Sequence, residues 1–313
     1  MAGIVNMALT NASAVVEFIL LGFGDLPNYQ GLLFGIFLLI YMSILVGNGL
    51  IILITMVNST LQTPMYYFLR HFSFLEICYT SVIFPRMFKN LLTQKRNISF
   101  LACAMQLFFF LILGGNECIL LAVMAYDRYV AICNPLNYPL IMNQKFCVCL
   151  VTGSWISAIP IPIGQTYNIF SLPFCSSKSL NHGFCDIPPL LKLACGDTKM
   201  NELYAYVGTS LSAIVPLLII LLSYIKIIAT IQKLPSGIGR HKAFSTCSSH
   251  LIVVSLFFGS GIISYLLPNS IKPAGVDKIL SLMYSIVTPI LNPLIYSLRN
   301  KDVIMALKKL QTR

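Results

Sequence analysis

From residue 30 to residue 298 the chain is a succession of seven apolar runs, and no other feature limits its possible folds so tightly. They cover 30–57, 64–88, 99–131, 145–165, 200–231, 241–267 and 274–298. About 20 apolar residues in a helix cross the roughly 30 Å of hydrocarbon in a bilayer. Inside hydrocarbon every backbone N–H and C=O must find a partner within the protein, which leaves helices and closed barrels as the spanning structures. These runs lack the apolar–polar alternation of barrel strands. The expected fold is therefore an all-α membrane protein, a bundle of seven transmembrane helices. A short stretch at 300–311 places Val303, Ile304, Leu307 and Leu310 on one side and Lys301, Lys308 and Lys309 on the other. That spacing suits an amphipathic helix lying on the membrane surface. The chain divides into an N-terminal segment 1–29, a membrane domain 30–298 and a tail 299–313.

Composition agrees. Apolar residues make up 57% of the chain and charged residues 10%, where a soluble domain carries about 25% charged residues. The net charge of +11 is explained by Lys and Arg flanking spans and meeting anionic lipid. Nucleic-acid binding would need a basic patch on a soluble surface, and no such domain is visible. Residues 1 to 30 hold no Lys or Arg, so the basic region of a cleavable signal peptide is missing. The first span is read as directing insertion.

Orientation follows from charge at the ends. With the N-terminus outside, inner segments hold 12 Lys and Arg and outer segments 9, a weak bias. The termini are clearer: none in the first 30 residues and five from Arg299 to Arg313. An outer N-terminus and an inner tail are expected. Asn11 and Asn97 then head sequons on the outer side, and Asn58 one on the inner side.

No catalytic constellation appears, and an enzyme is not expected. His71, His182, His241 and His250 form no metal or catalytic string, and no Ser sits in a Gly-x-Ser-x-Gly turn. The carboxylates Glu76 and Glu117 lie within spans, where each charge costs roughly 2.5–3.5 kcal/mol on insertion scales. Such residues pair or serve a function. Pro216 and Pro293 permit kinks inside spans five and seven, and Pro160 with Pro162 is expected to end the fourth. Six cysteines, Cys78, Cys118, Cys133, Cys147, Cys149 and Cys247, lie in apolar segments and read as buried thiols. Cys103, Cys175, Cys185 and Cys195 flank or occupy polar loops, and four cysteines allow three pairings. Their spacing lacks the short ligand gaps of structural zinc sites.

At the inner end of the third span stands Met124-Ala125-Tyr126-Asp127-Arg128-Tyr129-Val130-Ala131-Ile132-Cys133. Gly47-Asn48 lies in the first span, and Pro64-Met65-Tyr66-Tyr67-Phe68-Leu69 opens the second. Ser223-Tyr224 closes the fifth, and Lys242-Ala243-Phe244-Ser245-Thr246-Cys247-Ser248-Ser249-His250-Leu251 opens the sixth. Pro289-Ile290-Leu291-Asn292-Pro293-Leu294-Ile295-Tyr296 closes the seventh. Together these strings resemble the odorant receptors of the rhodopsin-like, G-protein-coupled family, across nearly the whole chain. Two positions depart from that pattern: Phe258, where Tyr is usual, and Gln62, where His is usual.

The resemblance implies a plasma-membrane receptor that binds a small volatile odorant and activates a stimulatory, olfactory-type heterotrimeric G protein, raising cyclic AMP. Asp127, Arg128, Tyr129, Tyr224, Lys242, Asn292, Pro293 and Tyr296 are the implied switch and coupling residues, with Arg128 holding the resting state. Read as an isolated residue, Arg128 would only snorkel to the interface or pair locally with Asp127. Asn48, Glu76, Glu117 and Asn292 occupy positions that converge in the family. Their hard oxygens suit sodium, the one cofactor expected; the alternative is a protonated Glu hydrogen-bonded to its neighbours. The implied disulfides are Cys103–Cys185 and Cys175–Cys195, and Asn11 is the implied glycosylation site. The ligand pocket is placed among Phe110, Leu111, Gly114, Gly115 and Cys118 of span three, Gly208, Thr209 and Ser212 of span five, and Phe258, Gly261, Ile262 and Tyr265 of span six. Helix packing would explain the small residues equally well. Amine receptors carry Asp where this chain has Phe110, so a mostly apolar, neutral ligand is expected. Two other readings stay open: a receptor of the same fold for a non-olfactory hydrophobic ligand, and a transporter or channel, which the absence of internal repeats disfavours.

Overall fold

The structure, a computed structural model, describes residues 17–22, 27–93, 96–174, 178–233, 237–265 and 282–298, with 303 and 305. Its long helices are α1 (Gln30–Val57), α2 (Pro64–Leu92), α3 (Phe100–Cys133), α4 (Gln144–Ser157), α5 (Pro160–Phe170), α6 (Lys199–Gln232), α7 (Gly237–Tyr265) and α8 (Thr288–Leu298). At 1.5 Å per residue, the 28 residues of α1 reach about 42 Å, more than a bilayer's hydrocarbon. Five segments are long and apolar enough to cross a membrane: α1, α3, α4 with α5, α6, and the Cys247–Ser264 part of α7. α2 is long enough, but it carries Arg70, His71, Glu76, Arg86 and Lys89. The described part of the seventh run is short because 274–281 lie outside the described residues.

Exposure shows how the helices are solvated. α1 turns Leu32, Leu39, Val46 and Leu53 outward, and α6 does the same with Leu211, Leu218, Leu222 and Ile225. Such apolar faces would drive association in water and are at home against lipid tails. α3 differs: 67% of its apolar window is buried, against 22% for α1. It is therefore the helix on which other side chains close, and its polar residues must be satisfied by protein.

The fourth span corrects one expectation. Pro160 and Pro162 do not end it. The chain tightens at Ile159, whose N–H bonds the Ile156 carbonyl, and a second helix starts at Pro160. Proline is tolerated there because first-turn N–H groups have no helical partner to lose. Pro85, Pro216 and Pro293 all lie inside helices. Ahead of Pro289 the backbone runs as one π turn, Met283–Val287, and the Thr288 N–H reaches back to the Met283 carbonyl. A proline that cannot donate is a physical cause for such a turn.

Two compact units are defined by internal packing. The first comprises residues 1–38, 82–111 and 160–208. It also contains a three-stranded sheet of short strands that the apolar periodicity did not foretell. β1 (Glu17–Leu20) lies between β2 (Asn97–Ser99), antiparallel to it, and β3 (Ser179–Leu180), parallel to it. Phe18 projects from β1 into a ring cluster, with Phe174 at 5.2 Å and Phe100 at 6.1 Å. Phe170 meets Phe100 edge-on at 5.0 Å. Aromatic pairs of this kind contribute about 0.5–1.5 kcal/mol each beyond buried area. α5 and the start of α6 are laced by amides: Gln165 Nε2 donates to the Ala205 carbonyl at 3.0 Å, and Asn201 Nδ2 donates to Asn168 Oδ1 at 2.8 Å.

The second unit comprises 39–81, 112–159 and 209–313. Here α1 comes very close to α8, and a Cβ added at Gly47 would stand 3.0 Å from the Pro293 Cβ. Asn143 caps α4, its Oδ1 accepting from the Phe146 N–H at 3.0 Å. Of the amphipathic stretch at 300–311, only Val303, buried, and Met305, exposed, are described, both helical.

Candidate functional site

The interior of the second unit holds a polar group that its apolar surroundings make conspicuous. Asn48 on α1, Glu76 on α2, Glu117 on α3 and Asn292 on α8 are each at most 1% exposed. Asn292 Nδ2 donates to Glu76 Oε1. The Glu76 and Glu117 carboxyls lie within electrostatic reach of each other. Asn48 turns its Nδ2 to the Ile44 carbonyl of its own helix, at 3.1 Å. Asn48 Oδ1, Glu76 Oε2, Glu117 Oε1 and Asn292 Oδ1 are buried without a hydrogen-bond partner. Burying a polar atom unpaired costs about 1–3 kcal/mol, so four acceptors of one kind call for a donor or a cation. Among the described residues, no group of three His, Cys, Asp or Glu stands ready for a metal. The set is two carboxyls and two amide oxygens, which suits a hard monovalent ion better than a thiolate- or imidazole-seeking one.

A second polar group forms around the end of α3, in the same unit. Asp127 is 2% exposed, and its Oδ1 accepts from the Tyr138 hydroxyl at 2.9 Å. Tyr138 belongs to the one-turn helix Tyr138–Ile141, just past α3. Burial, with the Asp127 carboxylate second, pushes the Tyr138 hydroxyl well above its ordinary range, so it remains a donor at every physiological pH. Arg128 is half-buried, as is Tyr129. The Arg128 charge acts through space on Asp127, Tyr224, Cys247 and His250. Tyr224 and His250 are both buried, with the hydroxyl 2.9 Å from His250 Nδ1 and the rings stacked. Cys133 Sγ lies 3.2 Å from Thr230 Oγ1, tying the end of α3 to α6. Pro293 is buried beside Asn292. The side chains of Lys242 and Tyr296 lie outside the described residues, although their backbones are helical. Tyr138 and His250 carried no assigned role in the sequence. Nothing in spacing marks Tyr138 as a partner of Asp127, because a chain reversal at Asn134–Asn137 brings the two together. His250 had a signal: an imidazole in an apolar span needs a hydrogen-bond partner.

The expected ligand residues separate into open and filled positions. In the first unit, a Cβ on Gly208 would stand 2.7 Å from Gln165 Nε2 and 3.2 Å from Ile161. Gly208 therefore permits the close approach of α5 to α6. Phe110, buried, packs on Phe184 at 5.1 Å, and Leu111 is half-buried. In the second unit, Gly115 and Gly261 face open space at the Cβ position, whereas Gly114 meets Tyr79 at ordinary contact distance. Cys118 and Phe258 are buried, and Thr209, Ser212 and Ile262 are half-buried. The Tyr265 side chain lies outside the described residues.

The loop following α5 is fastened to α3. Cys103 and Cys185 are disulfide-bonded, with Cα atoms 5.6 Å apart. Buried Gln106 reinforces the link, accepting from the Cys185 N–H at 3.0 Å and donating to the Val82 carbonyl at 3.0 Å. Cys195 is disulfide-bonded too, and its expected partner Cys175 lies outside the described residues, as does Asn11.

The family model described as olfactory receptor matches residues 37–313. Olfactory receptor 10AG1 of Homo sapiens is 57% identical over 295 residues, which cover 94% of this chain and 98% of that protein. Olfactory receptor 10A5 of Homo sapiens is 53% identical over 304 residues, 97% and 96% of the two chains. Olfactory receptor 5AP2 of Mus musculus is 48% identical over 300 residues, 96% and 95% of the two chains.

Proposed function

The chain belongs to the olfactory receptor family, and from that premise we propose that it is an odorant receptor of the plasma membrane that signals through a stimulatory, olfactory-type G protein to raise cyclic AMP. It is a receptor and not an enzyme. The N-terminal segment 1–29, with a glycan on Asn11, faces outside; the tail 299–313 faces the cytoplasm. The observation that carries the coupling reading is the setting of Arg128: half-buried at the end of α3, within electrostatic reach of Asp127, Tyr224, Cys247 and His250. A half-buried cation at a helix end can change partners, and a ligand acts by favouring one of the two arrangements. Asp127, Tyr129, Lys242, Asn292, Pro293 and Tyr296 complete the coupling surface and its switch.

Within the second unit, Gly114, Gly115, Cys118, Thr209, Ser212, Phe258, Gly261, Ile262 and Tyr265 receive the odorant. The open space beside Gly115 and Gly261 supports this, and the apolar lining favours a small neutral volatile. The four orphaned oxygens support a sodium site at Asn48, Glu76, Glu117 and Asn292. When bound there, sodium would neutralise charge on the buried carboxyls. The competing arrangement is a proton on one of the two buried carboxyls, hydrogen-bonded to its neighbours. Basal cyclic AMP in sodium and in choline medium separates the two: suppression by sodium supports the ion, and equal basal signals support the proton. For the receptor reading, cells co-expressing the chain and an olfactory-type G protein should answer neutral odorants, and Arg128→Ala at equal surface density should be silent.

A further inference from the structure

The first unit contains a polar pocket that odorant reception does not use. Parts of the chain distant in sequence meet there: Asn90 and Leu91 at the end of α2, Gly22 and Gln30 around the start of α1, and Arg96 and Gly183 from the loops before α3 and after α5. The pocket has room for about one water molecule. Both amide atoms of Asn90, Oδ1 and Nδ2, are buried without a hydrogen-bond partner. The Gly22 N–H donates to the His182 carbonyl at 3.1 Å, and a Cβ added at Gly22 would stand 3.6 Å from the Gly183 Cα. The two glycine backbones therefore run against each other at the wall of the pocket, where neither has a side chain to screen its polar groups.

The opposite characters of the two Asn90 atoms select the occupant. Oδ1 needs a donor and Nδ2 needs an acceptor. An anion would answer Nδ2 and be repelled by Oδ1, and a cation would do the reverse. An apolar group would leave both atoms unpaired, which burial penalises. A neutral molecule that both donates and accepts answers the pair, and the size of the pocket limits it to water. One water can accept from Nδ2 and donate to Oδ1, with its second hydrogen left for a backbone carbonyl.

We propose that this pocket binds one ordered water, gripped by the Asn90 amide, which joins the end of α2 to the backbone before α1 and to the Gly183 loop. A buried water of this kind makes about three hydrogen bonds and is costly to remove. Asn90→Leu tests the proposal by sign, because leucine has nearly the bulk of asparagine and no polar atom. If water bridges the amide to backbone, the variant strands the groups that the water had served, and the thermal unfolding midpoint falls. If the amide is merely unpaired, leucine relieves it, and the midpoint holds or rises. The expected result, for the purified full chain in detergent micelles, is a lower midpoint in Asn90→Leu; an equal or higher one overturns the proposal. A wild-type midpoint that changes with the anion at fixed ionic strength, while that of Asn90→Leu does not, puts an ion in the pocket and overturns it as well. The direct observation needs no variant. A cryo-electron-microscopy map of the wild type, fine enough to show waters elsewhere in the protein, is expected to show a peak within hydrogen-bond distance of the Asn90 amide. A map of that quality without the peak overturns the proposal whatever the variant does.

Discussion

Tyr138→Phe removes one oxygen and leaves the ring, so it isolates a single interaction. In the wild type the Tyr138 hydroxyl donates to Asp127 Oδ1 at 2.9 Å, and Asp127 is 2% exposed. Hydrogen bonds to charged groups are worth about 1.5–3 kcal/mol, roughly twice a neutral bond, because loss of the donor strands a buried charge. The variant should therefore lose about 2 kcal/mol, a clear fall in the unfolding midpoint of purified receptor. The decisive comparison is a double-mutant cycle. In an Asp127→Ala background no carboxylate remains to be stranded, so Tyr138→Phe should cost close to nothing. Asp127→Asn keeps an acceptor without the charge, and there the cost should fall to about 1 kcal/mol. If Tyr138→Phe lowers the midpoint equally in the wild type and in Asp127→Ala, the hydroxyl is not bonded to Asp127 and the reasoning fails.

The helix contacts give further expectations. Gly208→Ala would set a methyl 2.7 Å from Gln165 Nε2 and should lose about 1–3 kcal/mol of stability by overpacking, visible as reduced surface labelling. Gly115→Ala meets open space and should reach the surface at normal levels while shifting the odorant dose–response curve. Cys103→Ser opens a loop of sequence separation 82, for which the chain-entropy account gives about 4.5 kcal/mol; the receptor should be retained inside the cell and scarcely labelled at the surface. Glu117→Gln removes one of the orphaned carboxyl oxygens, so a sodium effect on basal cyclic AMP in the wild type should vanish in this variant.

Much of this architecture could be read before any coordinates, for a reason rooted in lipid. Hydrocarbon forbids unpaired backbone, so an apolar run of span length without strand alternation becomes a helix, and the ends of α1, α2, α3 and α6 fell within a few residues of expectation. Buried Glu76 and Glu117 were legible for the same reason: a carboxyl in a span must be answered by another group. The small sheet was not legible, because β1, β2 and β3 are two to four residues each and are paired by chain segments far apart in sequence. Pro160 was misread as a stop because sequence alone does not distinguish a helix end from a restart at the first helical position. The close approach of Gln165 to Gly208 was not legible, because a glycine that admits a ligand and one that admits a neighbouring helix look alike in sequence. Tyr138 escaped because its partner lies across a reversal of the chain, where no periodicity operates.

The most direct test of the central claim is cyclic AMP in cells expressing the chain with an olfactory-type G protein, across neutral and charged odorants, beside Arg128→Ala at matched surface density. The account predicts a dose-dependent rise with one or more neutral odorants that disappears in Arg128→Ala. A response undiminished in that variant, or one evoked by small primary amines and by no neutral odorant, would contradict it.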